Sequence, residues 1–205
     1  AEAIEFREQL ARANPSDAVN RLELARVIAA SGRASEATDR IAALIGERGT
    51  SNRVRAQAAE LVGQLVRADH SLAARSSSFD EGIARGNAGA VLARASMAEA
   101  LGDAEQARSL LGGVSGPLEP VAQMKLGLIA LASSREGEAV SRFERAANLD
   151  SDGTMTDAIA FRAAGPRAQL ISLYSKTGRD LAAIRLGQGE VPTSDSRGLR
   201  SLMRM

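Results

Sequence analysis

This chain offers few residues that do chemistry. His70 is its single histidine and it has no cysteine. Disulfides, thiolate nucleophiles and Cys-ligated zinc are therefore excluded, and one imidazole cannot supply a His-rich metal site. His70 lies in Ala68-Asp69-His70, between two apolar stretches, and reads as a solvent-facing or capping turn residue. Asn148, Asp150, Asp152 and Gly153 open like a calcium loop. The twelfth position, however, is Ile159, where a bidentate Glu is needed. Asp-Ser-Asp-Gly reads instead as a turn. Gly112-Gly113 and Gly86-Asn87-Ala88-Gly89 follow no strand and lack the Lys-Ser/Thr of a phosphate loop. Ser76-Ser77-Ser78 sits in no nucleophile-elbow pattern. Asp80 and Glu81 are neighbours, so on a helix they face different ways and suit solvated roles better than acid–base work. No catalytic, cofactor-binding or metal-binding residue is expected, and the chain does not read as an enzyme.

The elements behind these residues follow a period. Ala25, Gly32, Ala37 and Ile41 form one segment, and Ala95, Gly102, Ala107 and Leu111 a second. Gly127, Ser134, Ala139 and Phe143 form a third, and Ile171, Gly178, Ala183 and Gly187 a fourth. In each, a mostly small residue is followed by a turn former, an Ala and a mostly apolar residue at fixed intervals. The first and third segments are 102 residues apart, three periods of 34, and a fixed period in this range marks stacked helical hairpins.

Composition agrees. Apolar residues make up 44% of the chain but aromatics only 2%, so the core must be Ala, Leu, Val and Ile at close range, which helix pairs build readily. A net charge of +1 sets up no strong field for nucleic acid or a membrane surface. No apolar run approaches the ~18 residues of a membrane span, and Glu2, Glu5 and Arg7 interrupt any early apolar stretch, so no leader peptide is expected. The basic residues are Arg apart from Lys125 and Lys176, a usage expected of a GC-rich bacterial genome. A cysteine-free chain suits cytosol or periplasm equally, so localisation stays open.

Repeats are expected over about 17–49, 52–86, 87–118, 120–151 and 165–187. In the second, helices are expected at Arg53 to Arg67 and from about Asp69 to Arg85, without a turn glycine between them. An inserted helical stretch is expected over 154–164, and residues 188–205 read as a loop or disordered tail. Residues 1–15 read as half a repeat, the second helix of a unit whose first helix is absent. The chain is therefore expected to be a piece of a longer protein, with an apolar edge at Ile4, Phe6 and Leu10.

The spacing of Leu126-Gly127, Ala130, Ala139, Phe143, Ala146 and Asn148-Leu149-Asp150 resembles the tetratricopeptide repeat family. That resemblance implies an all-α, right-handed α-α superhelix of about five hairpins plus the initial half repeat. It also implies a concave groove lined by first helices, with Leu22, Arg26, Glu60, Leu92, Ser96, Glu99, Met124, Leu128, Leu131 and Ser172 facing it. The Lys and Asn with which one subgroup of the family clamps a peptide carboxylate are absent, and Arg26, Arg53 and Lys125 are the nearby cations. The implied function is non-catalytic: a scaffold or assembly factor of a bacterial complex that holds a partner peptide or helix. The alternative is a regulatory or oligomerising region of a larger bacterial enzyme, sensor or envelope protein. Homo-oligomers through the tail at Leu199 to Met203 are a third possibility. An apolar helical stripe such as Met124, Leu128 and Leu131 can equally pack against the chain itself.

Overall fold

The computed structural model describes residues 2–159 and 165–188. Its α-helices are α1 (Glu2–Ala13), α2 (Ala18–Ala30), α3 (Ala34–Gly46), α4 (Asn52–Ala68), α5 (Asp80–Ala84), α6 (Ala88–Ala100), α7 (Ala104–Gly112), α8 (Glu119–Ala132), α9 (Glu136–Leu149), α10 (Pro166–Lys176) and α11 (Asp180–Gly187). There is no strand among the described residues. The protein is all-α.

Local sequence sets the helix ends. The carboxylates of Asp17 and Asp103 accept from the backbone N–H of Asn20 and Gln106, and Ser51 and Asn87 cap α4 and α6 in the same way. The turn position of the period is backbone-driven. Gly32, Gly102 and Gly178 have φ of +86°, +81° and +71°, the left-handed conformation that stops a helix and that glycine adopts freely. Ser134 holds the equivalent position at φ 57°, so the turn is kept there without the glycine.

The helices pack in chain order. α1 lies on α2, α2 on α3, α3 on α4, α6 on α7, α8 on α9, α9 on α10 and α10 on α11. The periodic residues form the core between them: Ala25, Ala37, Ile41, Ala95, Ala107, Leu111, Ala139 and Phe143 are all buried. α4 and α6 approach very closely, because a Cβ on Gly63 would come 2.9 Å from both Cβ and O of Ser96. α6 and α8 are not closely packed, and α8 leans on α7 instead.

One expectation needs correction. No single helix spans Asp69 to Arg85. A 3-10 segment, His70–Phe79, precedes the short α5. Leu72 and Phe79 are buried, as a helix would have placed them, but the consecutive serines at 76–78 lie in 3-10 geometry. Serine competes for its own backbone and weakens a regular helix. The insertion is described only in part. Residues 154 and 155 form a turn, Thr156–Ile159 is a short 3-10 helix, and 160–164 lie outside the described residues, as do 189–205 with Leu199, Leu202 and Met203.

Candidate functional site

The ten residues expected to line a groove do not form one surface. Leu22, Glu60, Leu92, Ser96 and Met124 are buried. Arg26, Glu99, Leu128 and Leu131 are half-buried, and Ser172 is exposed. Part of the cover comes from the insertion. Thr156–Ile159 packs on both α4 and α8, with Thr156 and Ile159 buried. Arg53 Nη1 donates to the Thr154 carbonyl at 3.4 Å, a link across 101 residues of sequence.

The calcium-like stretch is the hinge of this cover. The Asp150 carboxylate accepts from the backbone N–H of Met155 (3.2 Å) and Thr156 (2.7 Å) and from the Thr156 hydroxyl (2.8 Å). Thr154 donates its backbone N–H and hydroxyl to Asp152, which holds that carboxyl below its ordinary range. These oxygens are engaged in turning the chain, and Ile159 is packed inward.

Three of the expected helices instead meet at a buried charge network. Lys125 Nζ on α8 lies 2.9 Å from Glu60 Oε2 on α4 and 3.1 Å from Glu99 Oε1 on α6. The Lys125 side chain is 2% exposed and that of Glu60 0%. Burying charge costs several kcal/mol per ion unless paired, and the pairing here joins α4, α6 and α8 at one point. It spans the gap that α6 and α8 leave between their backbones. A sequence signal for it existed: Lys125 stands between Met124 and Leu126 in a helix that is apolar from there to its end.

No family model, curated protein or solved structure matches this chain.

The accessible apolar part of the expected surface lies at α8, with Leu128 and Leu131 half-buried. Leu128 and Ile129 border a hollow of about 360 Å³ with Ala132, Ser133, Glu99, Gly102 and Ala104. It opens between α8 and the α6–α7 turn, where those backbones diverge. His70 is exposed at the start of its 3-10 segment. Among the described residues no group of His, Cys, Asp and Glu is placed to hold a metal ion. No helix there is long and apolar enough to cross a membrane.

Sequence reasoning missed a large cleft at the end of α3. It measures about 1070 Å³ and is lined by Arg21, Arg48, Arg55 and Arg85 among others. Arg21 and Arg55 stand one repeat of 34 residues apart, but Arg48 and Arg85 fall outside that spacing, so only the fold brings the four together.

Proposed function

We propose that the chain is a tetratricopeptide-like interaction module, a right-handed superhelix of about five hairpins that holds a partner protein for a bacterial assembly. The observation that carries this reading is the half-buried pair Leu128 and Leu131 on α8, with Leu128 bordering the 360 Å³ hollow. Large apolar side chains left part-open around a concavity suit the apolar face of a partner helix or an extended apolar peptide. Leu22, Glu60, Leu92, Ser96 and Met124 are spent on internal packing, which leaves the α6–α8 divergence as the apolar docking strip. A crosslinked pull-down from source-cell lysate, comparing wild type with Leu128→Glu/Leu131→Glu, tests this. A protein held by the wild type and lost by a folded variant supports the strip. The same proteins on both baits would overturn it.

A second reading, a regulatory or oligomerising region of a larger protein, is favoured by α1. Phe6 is 59% and Leu10 39% exposed there, while Ile4 packs on the Leu24, Ile28 and Ala37 cluster. Under this reading a chain lengthened upstream of Ala1 has a higher Tm, and an unchanged Tm counts against it.

A further inference from the structure

We infer that the arginine-lined cleft between the end of α3 and α5 binds an acidic segment of a partner protein. The cleft exists because the second half of repeat two is irregular. The 3-10 segment His70–Phe79 packs on α3, but α5 packs on α6 and on that segment rather than on α3. The last turns of α3 and the α5 helix therefore stand apart, with about 1070 Å³ between them.

Its charge is unbalanced. Arg21 pairs with Glu47 and Arg85 with Glu81, which accounts for both lining carboxylates. Arg55 is held by neutral acceptors: Nε donates to the Ile45 carbonyl (3.2 Å), Nη2 to the Glu47 carbonyl (2.7 Å) and Nη1 to Asn52 Oδ1 (3.3 Å). Its guanidinium charge meets no carboxylate there. Arg48 is exposed and makes no ion pair among the described residues. Two positive charges are thus left over on one concave surface, where they attract anions most effectively.

The end of α3 does not oppose an anion. A helix C-terminus carries partial negative charge on its last carbonyls. Here Asn87 Nδ2 donates to the Ile45 carbonyl at 2.8 Å, alongside Arg55 Nε. The same contact fixes the start of α6 against the end of α3, so the walls are held before any ligand arrives.

Shape and surroundings select a polypeptide. Ala42, Ala43 and Gly82 line the cleft, so its walls are low and a narrow main chain fits between the arginines. Nucleic acid would want stacking surfaces, yet the lining's one aromatic, Phe79, is buried, and the whole chain carries only +1. Arginine recognises carboxylates with a planar fork of donors, and the paired Arg21 and Arg85 can exchange Glu47 and Glu81 for incoming side chains.

This inference rests on the interaction-module reading but uses residues other than the Leu128 strip, so the two fail separately. The probe is a fluorescein-labelled peptide of alternating Glu and Ala, titrated with the full chain and read by anisotropy. Wild type is expected to bind it, more weakly as salt rises. Arg48→Glu/Arg85→Glu, both on the surface, is expected to weaken binding about tenfold or more. Ala43→Trp keeps every charge but fills the cleft, and is expected to abolish binding. Leu128→Glu/Leu131→Glu is expected to leave it unchanged. Absence of binding by wild type, equal binding by Ala43→Trp, or an equally tight oligothymidylate would each overturn the inference, the last in favour of nucleic acid.

Discussion

Gly127 on α8 faces the ring of Phe143 on α9 so closely that a Cβ there would lie 2.5 Å from Phe143 Cε1 and 2.7 Å from Cδ1. The ring is fully buried and has no room to swing away. In an exposed helix, Gly→Ala would stabilise by about 1 kcal/mol. At this contact overpacking costs ~1–3 kcal/mol and decides the sign. Gly127→Ala is expected to lower the Tm. Phe143→Leu, destabilising by itself, is expected to cost less in the Gly127→Ala background than alone. Thermal melts of the four proteins give the coupling directly.

Lys125 makes a different kind of contact, charged and buried between Glu60 and Glu99. Removing the ammonium leaves two carboxylates close together in a poorly hydrated space. Breaking a buried pair by deleting one partner costs ~3–5 kcal/mol. Lys125→Met is therefore expected to destabilise far more than the same change at the exposed Lys176. Glu60→Gln/Glu99→Gln in the Lys125→Met background is expected to recover part of the loss. If Lys125→Met melts like the wild type in chemical denaturation, the network contributes nothing to stability.

The hairpins were legible because each is specified locally. Gly32, Gly102 and Gly178 stop helices, and Ala37, Ala107 and Ala139 mark contacts. Such signals lie within one unit and need no knowledge of its neighbours. Repeat two was misread because Leu72, Phe79 and Ile83 fall at helical intervals, while the serines between them lower the helix's stability by an amount that spacing does not register. The burial of part of the expected groove was hidden for another reason. Which face of α4 and α8 is open depends on Thr156–Ile159 returning across them, a contact about 100 residues long-range. The period identifies a helix's inner face, and only the returning segment decides whether that face meets solvent. The arginine cleft was illegible on the same ground.

Ser134 tests the turn directly. It sits at φ 57°, where a Cβ is disfavoured by about 1–2 kcal/mol, and its equivalents are Gly32, Gly102 and Gly178. Its backbone N–H donates to the Leu131 carbonyl at 2.9 Å, a bond that glycine would keep. Ser134→Gly relieves the strain and adds unfolded-chain entropy, which offsets part of the gain. The expected net is stabilisation of about 0.5–1 kcal/mol. Gly102→Ala is the mirror experiment and is expected to lower the Tm. Both are read in the same thermal scan, and a Ser134→Gly protein less stable than wild type would refute the account.

Tyr174 supplies a prediction in pH. It is the chain's single tyrosine and there is no Trp, so phenolate absorbance reports one group. Its ring is fully buried with the Arg179 guanidinium 4.3 Å from the ring centroid, and its hydroxyl donates to Glu144. Burial first, then the Glu144 carboxylate, raises its pKa well above the ordinary 10.0, against a smaller opposing pull from Arg179. A raised folded-state pKa means that the folded protein holds the phenol proton more tightly than the unfolded chain does. The stability it confers is complete below pH ~10 and falls as pH climbs above that, because only the unfolded chain then ionises readily. Native protein is expected to titrate late, with the phenolate signal appearing together with loss of helical circular dichroism. Tyr174→Phe removes this contribution and is expected to flatten the fall in stability between pH 9 and 11. A native phenolate titrating near 10 with the helices intact would show that neither burial nor Glu144 holds the proton.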